Sequence, residues 1–224
     1  MSVNYTNQSI AQISIDKNIS DYYIKFLEAK DVSTFDSLTE LSDITNRNLY
    51  VLGSIISETG TAIENLIRFY NQVDEQLAIP IKDRIPIKIW INSEGGSLEA
   101  AFTTCDTIQL SKTPVITINQ GCAASAAALI FLVGHKRITF PKAYFLIHEG
   151  SIGVNQIDAH KFQSMSDFYK LQRKLLKEIV LTHTKMTEEQ YSDHSKDDWW
   201  INAEEALDLH IADEIMEQET YLAL

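Results

Sequence analysis

The sequence predicts an α/β domain built on a largely parallel sheet, and three observations carry that expectation. β-Rich runs alternate with helical runs along most of the chain, Ser, Asn and Gly mark the helix starts, and apolar residues switch between dense short runs and three- or four-residue spacing. Length agrees with this: 224 residues with 45% hydrophobic and 22% charged content can bury one sizeable core, most simply one domain with appendages.

Residues 1–45 are rich in Ser, Thr, Asn and Asp with weak periodicity, and they read as an N-terminal extension with a short strand in "AQISID" and a helical piece in "YYIKFLEA". The domain proper is expected over residues 46–224. Its first unit is the strand "NLYVLGSII" followed by the helix "ETGTAIENLIRFYNQVDEQL", where Ile63, Leu66, Ile67 and Tyr70 share one face. "PIKIWINS" is the next strand, and "GGSLEAAFTTCDTIQLSK" the next helix, its start marked by the glycines and Ser97. "PVITINQG" repeats the order, with a helix from Ala123 to Val133. "KRITF" and "AYFLIH" are short strands on either side of a turn at Pro141 and Lys142. The longest helical pattern, within residues 156–185, carries Phe162, Met165, Phe168, Tyr169, Leu175, Leu176 and Ile179 at helical steps, a stripe suited to core or subunit packing. Asn202 is placed to cap the short helix "AEEALDLH".

Composition excludes several classes of function. A formal net charge of −12 argues against a nucleic-acid partner, because phosphate binding draws on clustered Lys and Arg. The apolar run "AASAAALIFLVG" is too short and too Ala-rich to cross a bilayer, so no membrane is expected. Two cysteines, Cys105 and Cys122, without CxxC spacing or a secretory leader, suit a reduced cytoplasmic compartment. HExxH, paired CxxC and Asp-x-Asp-x-Asp arrays are absent, as is GxGxxG, so neither a metal nor a cofactor is expected.

Residues that could carry chemistry are few. In "INSEGGS" two glycines after a strand would leave backbone N–H groups free at a helix start, which suits an anion or a developing oxyanion, although Gly pairs at such turns usually serve only the turn. Ser125 stands among small residues in "GCAASAAALIFLVG". On these residues alone it reads as a small residue of a packed helix sooner than as a nucleophile, and it is not part of a GxSxG elbow. His148 ends the strand "AYFLIH", while His135, His160, His183, His194 and His210 read as surface residues. Asp193, Asp197 and Asp198 in "SDHSKDDWW" are the carboxylates that could orient a histidine.

Taken in order, "YVLGSI", "IKIWINSEGGSLEAAFTTCDTIQL", "PVITINQGCAASAAALIFLVG", "RITFPKAYFLIHEG" and "DDWWINAEEALDLHIADEI" resemble the proteolytic subunit of the Clp protease, the ClpP family of serine peptidases. The likeness spans roughly residues 47–217 in order and spacing, which makes it far more specific than any one motif. It implies a ClpP/crotonase-like fold of stacked strand-strand-helix units with a protruding helical handle at about 156–185. It implies also a triad of Ser125, His148 and Asp198, with the backbone N–H groups of Gly96 and Ala126 as the oxyanion hole. The activity implied is serine endopeptidase cleavage of peptides or unfolded proteins, itself independent of ATP, by a homo-oligomeric ring that an ATP-driven unfoldase serves as partner.

Four departures from the family pattern stand out. Glu94 replaces the usual proline before the paired glycines and puts a carboxylate near the cleft; His210 replaces the glycine after the "AEEA" helix, where a left-handed turn is costlier. Asn155 precedes Gln156 in place of the usual Gly, and Asp197 stands where the family carries a basic residue used in ring-ring contacts. Two other readings share parts of this pattern: a crotonase-type acyl-CoA enzyme, which would not need all three triad residues, and a non-catalytic ring-scaffold paralogue, which typically lacks one of them.

Overall fold

The computed structural model describes residues 42–150, 158–195 and 197–224. The expected strand "AQISID", the helix "YYIKFLEA" and the Asn155–Gln156 departure lie outside the described residues. The chain divides into two compact units, residues 1–48 and 49–224. Within the described part of the first, a helical turn at 42–45 is closed by the Thr45 hydroxyl, which donates to Ser42 O at 3.0 Å.

In chain order the main unit runs from β1 (Asn48–Ile55) through α1 (Ser57–Gln76), β2 (Ile87–Gly96), α2 (Leu98–Leu110), β3 (Val115–Ala124) and α3 (Ala126–Leu132). It continues with β4 (Lys136–Thr139), β5 (Tyr144–Ile147), α4 (Ala159–His183), α5 (Glu188–His194), β6 (Trp199–Asn202), α6 (Ala203–Asp208), β7 (Glu214–Ile215) and α7 (Gln218–Ala223). Among the described residues seven strands form one sheet in the order β1-β2-β3-β4-β7, with β5 joined to β3 and β6 joined to β5. The pairs β2/β3, β3/β4, β3/β5 and β4/β7 are parallel and β5/β6 is antiparallel, as alternating strands and helices require.

Strand β3 organises the rest. Its first half pairs with β4 through Ile116 to Asn119, and its second half pairs with β5 through Cys122 to Ala124. That second pairing keeps Ala123 and Ala124 in the strand, so the helix expected from Ala123 starts at Ala126. A similar correction applies to Gly95 and Gly96, which end β2 and do not open α2; Ser97 is the N-cap, its hydroxyl accepting from Ala100 N–H at 3.2 Å.

Burial explains why these elements hold. On one face of the sheet, Ile63, Ile67 and Tyr70 of α1, Ala101, Cys105 and Ile108 of α2, and the wholly buried α3 pack on β2 and β3. On the other face a smaller cluster of Ile118, Ile138 and Met216 is flanked by Trp90, Phe140 and Leu224, and Tyr221 of α7 meets Phe140 edge to face. A parallel sheet covered on both faces needs near-continuous apolar strands, which "PIKIWI" and "PVITI" supply.

Helix α4 begins at Asp158, whose carboxylate accepts from His160 N–H and Lys161 N–H. Its first half stands away from the unit: residues 160–171 are exposed or half-buried, and burial starts at Gln172, Leu176 and Val180. Of the apolar stripe expected on this helix, Leu176 is buried, whereas Phe162, Phe168 and Leu175 face solvent in the single chain. At α6 the structure meets the His210 departure directly. His210 lies at φ 55°, its N–H donates to Leu207 O, and Ile211 N–H donates to Ala206 O, so a Schellman ending forms with histidine in the left-handed position.

Two histidines have their imidazoles drawn into the structure by hydrogen bonds. Val115 N–H donates to His135 Nδ1 at 2.9 Å, and His183 Nε2 lies 3.0 Å from Gln109 Nε2 with the Arg137 guanidinium bound to its carbonyl. Burial pushes both imidazoles below their usual range, and at His183 the Arg137 charge adds to it. A lowered folded pKa means that the unfolded chain binds more protons once the pH drops below about 6.5. Thermal stability is therefore expected to decline as pH falls from about 7.5 to 5.5, and His183→Gln to flatten that slope in melts across the range. An unchanged slope in the variant would locate the acid sensitivity elsewhere.

Candidate active site

Three strand ends converge on Ser125. Strand β3 delivers it directly after Ala124, and Ser125 N–H donates to Leu146 O of β5 at 2.8 Å, so the parallel β3/β5 pairing continues to the serine. The backbone there is strained: Ser125 has φ 55° and ψ −122°, a conformation that costs on the order of 1–3 kcal/mol for a residue with a Cβ. A sharp strand-to-helix turn of this kind lifts the side chain out of the sheet, the same device as a nucleophile elbow although the GxSxG pattern is absent.

His148 leaves β5 one residue after Ile147, and its position opposite β6 follows from the pairing. Tyr144, Phe145, Leu146 and Ile147 face Asn202, Ile201, Trp200 and Trp199, so continuing the antiparallel register sets His148 across from Asp198. Asp197 falls one residue out of that register, with its N–H donating to His194 O, and a one-residue step sends a side chain to the opposite face. The distances agree with the register. The Ser125 hydroxyl lies 2.8 Å from His148 Nε2, and His148 Nδ1 lies 3.2 Å from Asp198 Oδ1. The His148 side chain is 25% exposed and that of Asp198 61%, so the carboxylate is shared with solvent.

The glycine pair of β2 closes the other side. A Cβ on Gly95 would lie 2.7 Å from Ala124 O, 2.9 Å from Ser125 Cβ and 3.1 Å from Ala126 N. One on Gly96 would lie 2.2 Å from Ile55 O. With φ of 99° and 150°, both positions are reserved for glycine by conformation and by contact, which brings the β2 backbone against the serine turn. A bulge prepares this approach: the β2/β3 register jumps between Ile91 and Ser93, and Asn92 Oδ1 accepts from Cys122 N–H at 3.1 Å.

A clamp behind His148 escaped the sequence reading. Arg173 of α4 forms an ion pair with Glu149, Ser195 Oγ donates to Glu149 Oε1 at 3.3 Å, and Tyr169 OH donates to Gly150 O at 2.8 Å. Glu149 N–H also donates to Ser195 O at 2.8 Å, tying the residue after the histidine to the segment that carries Asp198. Local spacing gives no sign of these pairs because the partners stand 24 and 46 positions apart.

Among the described residues no His, Cys, Asp or Glu cluster could hold a metal ion, and no helix is long and apolar enough to cross a membrane. Cys105 and Cys122 are buried and free.

Residues 53–219 match the family model of the Clp protease. The chain belongs to the Clp protease family. It is 33% identical over 176 residues to an ATP-dependent Clp protease proteolytic subunit 3 of Streptomyces avermitilis, covering 74% of this chain and 76% of that one. It is 28% identical over 165 residues to a proteolytic subunit 2 of Rhodococcus jostii, covering 68% and 84% respectively. Among solved structures, a point mutant of ClpP1 from Listeria monocytogenes superposes with a TM-score of 0.68 at 26% identity, covering 81% of this chain and 96% of its own. The ClpP-like α/β fold expected from the motif order is therefore the fold of this protein, and within it Ser125, His148 and Asp198 lie in hydrogen-bonded series.

Proposed function

We propose that this Clp protease family chain is an active serine endopeptidase subunit that hydrolyses peptides or unfolded proteins. The observation that carries the reading is the unbroken line from Ser125 Oγ through the His148 ring to Asp198, at 2.8 Å and 3.2 Å, on a strained serine turn.

In this mechanism Ser125 Oγ attacks the scissile carbonyl carbon while His148 Nε2 takes the hydroxyl proton. Asp198 accepts the Nδ1–H hydrogen bond, which fixes the tautomer and stabilises the imidazolium that forms. The N–H of Ala126, first in α3, and that of Gly96 face the developing oxyanion, each worth about 3 kcal/mol of barrier. His148 then returns the proton to the leaving amine, and water repeats the sequence on the acyl-enzyme. No nucleotide enters these steps, so ATP would serve only a separate unfoldase partner.

Assembly into a homo-oligomeric ring is supported by the apolar residues that α4 leaves exposed, Phe162, Phe168 and Leu171, which a neighbouring subunit would cover.

The deciding experiment is labelling with a fluorophosphonate probe beside a peptide-cleavage assay, on the assembled protein as judged by light scattering. Wild type should label and cleave, and Ser125→Ala should do neither. Equal labelling of the two proteins with no peptide cut would overturn the peptidase reading in favour of a scaffold role.

A further inference from the structure

Burial alternates along the end of β2: Ile91, Ser93 and Gly95 face inward, while Asn92, Glu94 and Gly96 face outward. Two residues of a strand span about 6.6 Å, so the Glu94 side chain leaves the sheet one repeat from the Gly96 amide. Gly95, between them, lies so near that an added Cβ would stand 2.9 Å from Ser125 Cβ. The Glu94 carboxylate thus leaves β2 beside the glycine whose backbone packs on the Ser125 turn, and two positions before Gly96.

A cleft of about 570 Å³ opens there, lined by Gly53, Glu94, Gly96, Cys122 and Tyr144 among others, with no Lys or Arg among the described residues of its wall. Among the described residues no hydrogen bond or ion pair engages the Glu94 carboxylate. Tyr144 lines the same cleft as Glu94. Tyr144 is 45% exposed, and its ring lies 5.5 Å from that of Trp200, itself 53% exposed. The field of Glu94 reaches this wall. Burial pushes the Cys122 thiol up and the Glu94 charge adds to it, while the Tyr144 phenol is pushed up first by Cys122 beside it and in smaller part by Glu94.

A carboxylate with no cation partner among the described residues, sharing an open cleft with an exposed tyrosine, matches one kind of side chain. A Lys or Arg can lay its aliphatic stem and its charge against Tyr144 while its head reaches Glu94. We propose that Glu94 is a specificity-determining residue that makes the cleft prefer peptide substrates with a lysine or arginine beside the scissile bond. This rests on the peptidase reading and adds a substrate class to it. The competing account is a solvated carboxylate that ignores substrate charge.

The test uses the assembled full chain and three fluorogenic peptides that differ at one residue flanking the scissile bond: lysine, its uncharged isostere norleucine, or glutamate. The lysine peptide is expected to exceed the norleucine peptide in kcat/KM by about tenfold at low ionic strength, with the ratio shrinking as salt rises. Glu94→Gln should bring that ratio to about one, and Glu94→Lys should favour the glutamate peptide. Melting curves of both variants check that the exposed site tolerates the changes. Equal rates for lysine and norleucine peptides in wild type, or a ratio that survives Glu94→Gln, overturns the specificity while leaving the peptidase reading intact. If none of the three peptides is cut, the peptidase reading fails and the specificity goes with it.

Discussion

Replacing Ser125 by alanine is expected to lower kcat/KM for a cleaved peptide by about 10⁴- to 10⁶-fold with little change in melting temperature. Glycine at the same position should abolish cleavage equally and yet raise the melting temperature. The difference comes from the backbone. At φ 55° and ψ −122° the Cβ of Ser125 is held in a region that costs on the order of 1–3 kcal/mol, and alanine keeps that Cβ. Glycine removes the strain but frees the unfolded chain, a loss of about 0.5–1 kcal/mol, so the net gain is about 1 kcal/mol. For a domain of this size that corresponds to about 2–4 °C. Neighbouring structure holds the strained turn in place: all seven residues of α3 are buried, and Ser125 N–H is fixed on Leu146 O. Measured melts of the two variants separate the possibilities. A glycine variant that melts below the alanine variant would show that the turn is not strained, and an alanine variant that still cleaves would remove Ser125 from the chemistry.

The parts of this fold visible in the sequence are those written locally. Helix α6 is legible because Asn202 marks its N-cap, to which the structure adds Glu205 as capping-box partner, and β2 and β3 because "PIKIWI" and "PVITI" are dense apolar runs after proline. Local pattern fails where pairing partners decide the outcome. Ala123 and Ala124 read as helix because alanine favours helices, but three residues of β5 claim that segment for the sheet. The glycines of "SEGG" read as a helix start, yet their positions are set by Ile55 and Ser125, which no window of a few residues contains. At the site, motif order singles out Ser125, His148 and Asp198 together, whereas residue types alone leave Asp193, Asp197 and Asp198 level. The Arg173–Glu149 pair behind the histidine could not be read, because "QRKLLKE" looks like an ordinary solvated helix face. The useful hint was proximity in the chain: Glu149 follows His148, and charged residues beside a histidine that must hold one orientation are worth tracing.

The choice between the adjacent carboxylates gives the second large effect. Asp198→Asn is expected to lower kcat by about 10²-fold with KM nearly unchanged, and Asp197→Asn to stay within about twofold of wild type. The reasoning begins with the register of β5 and β6, which sets Asp198 across from His148 and brings its Oδ1 to 3.2 Å from Nδ1. Asparagine can still hydrogen-bond the ring, but it can present its amide as a donor, which favours the wrong tautomer, and it carries no charge to offset the imidazolium. In a buried triad that change costs about 10⁴ in kcat. Here the Asp198 side chain is 61% exposed, so water and salt already share the task, and the smaller figure is expected. Loss confined to kcat is the informative signature, because the His148–Asp198 contact gains strength only when the ring becomes charged during attack. A change in KM alone would assign Asp198 to substrate binding, and a larger loss in Asp197→Asn than in Asp198→Asn would shift the triad by one residue and contradict the register. Slower but still complete fluorophosphonate labelling of Asp198→Asn would complete the case, since the nucleophile remains and only its activation is weakened.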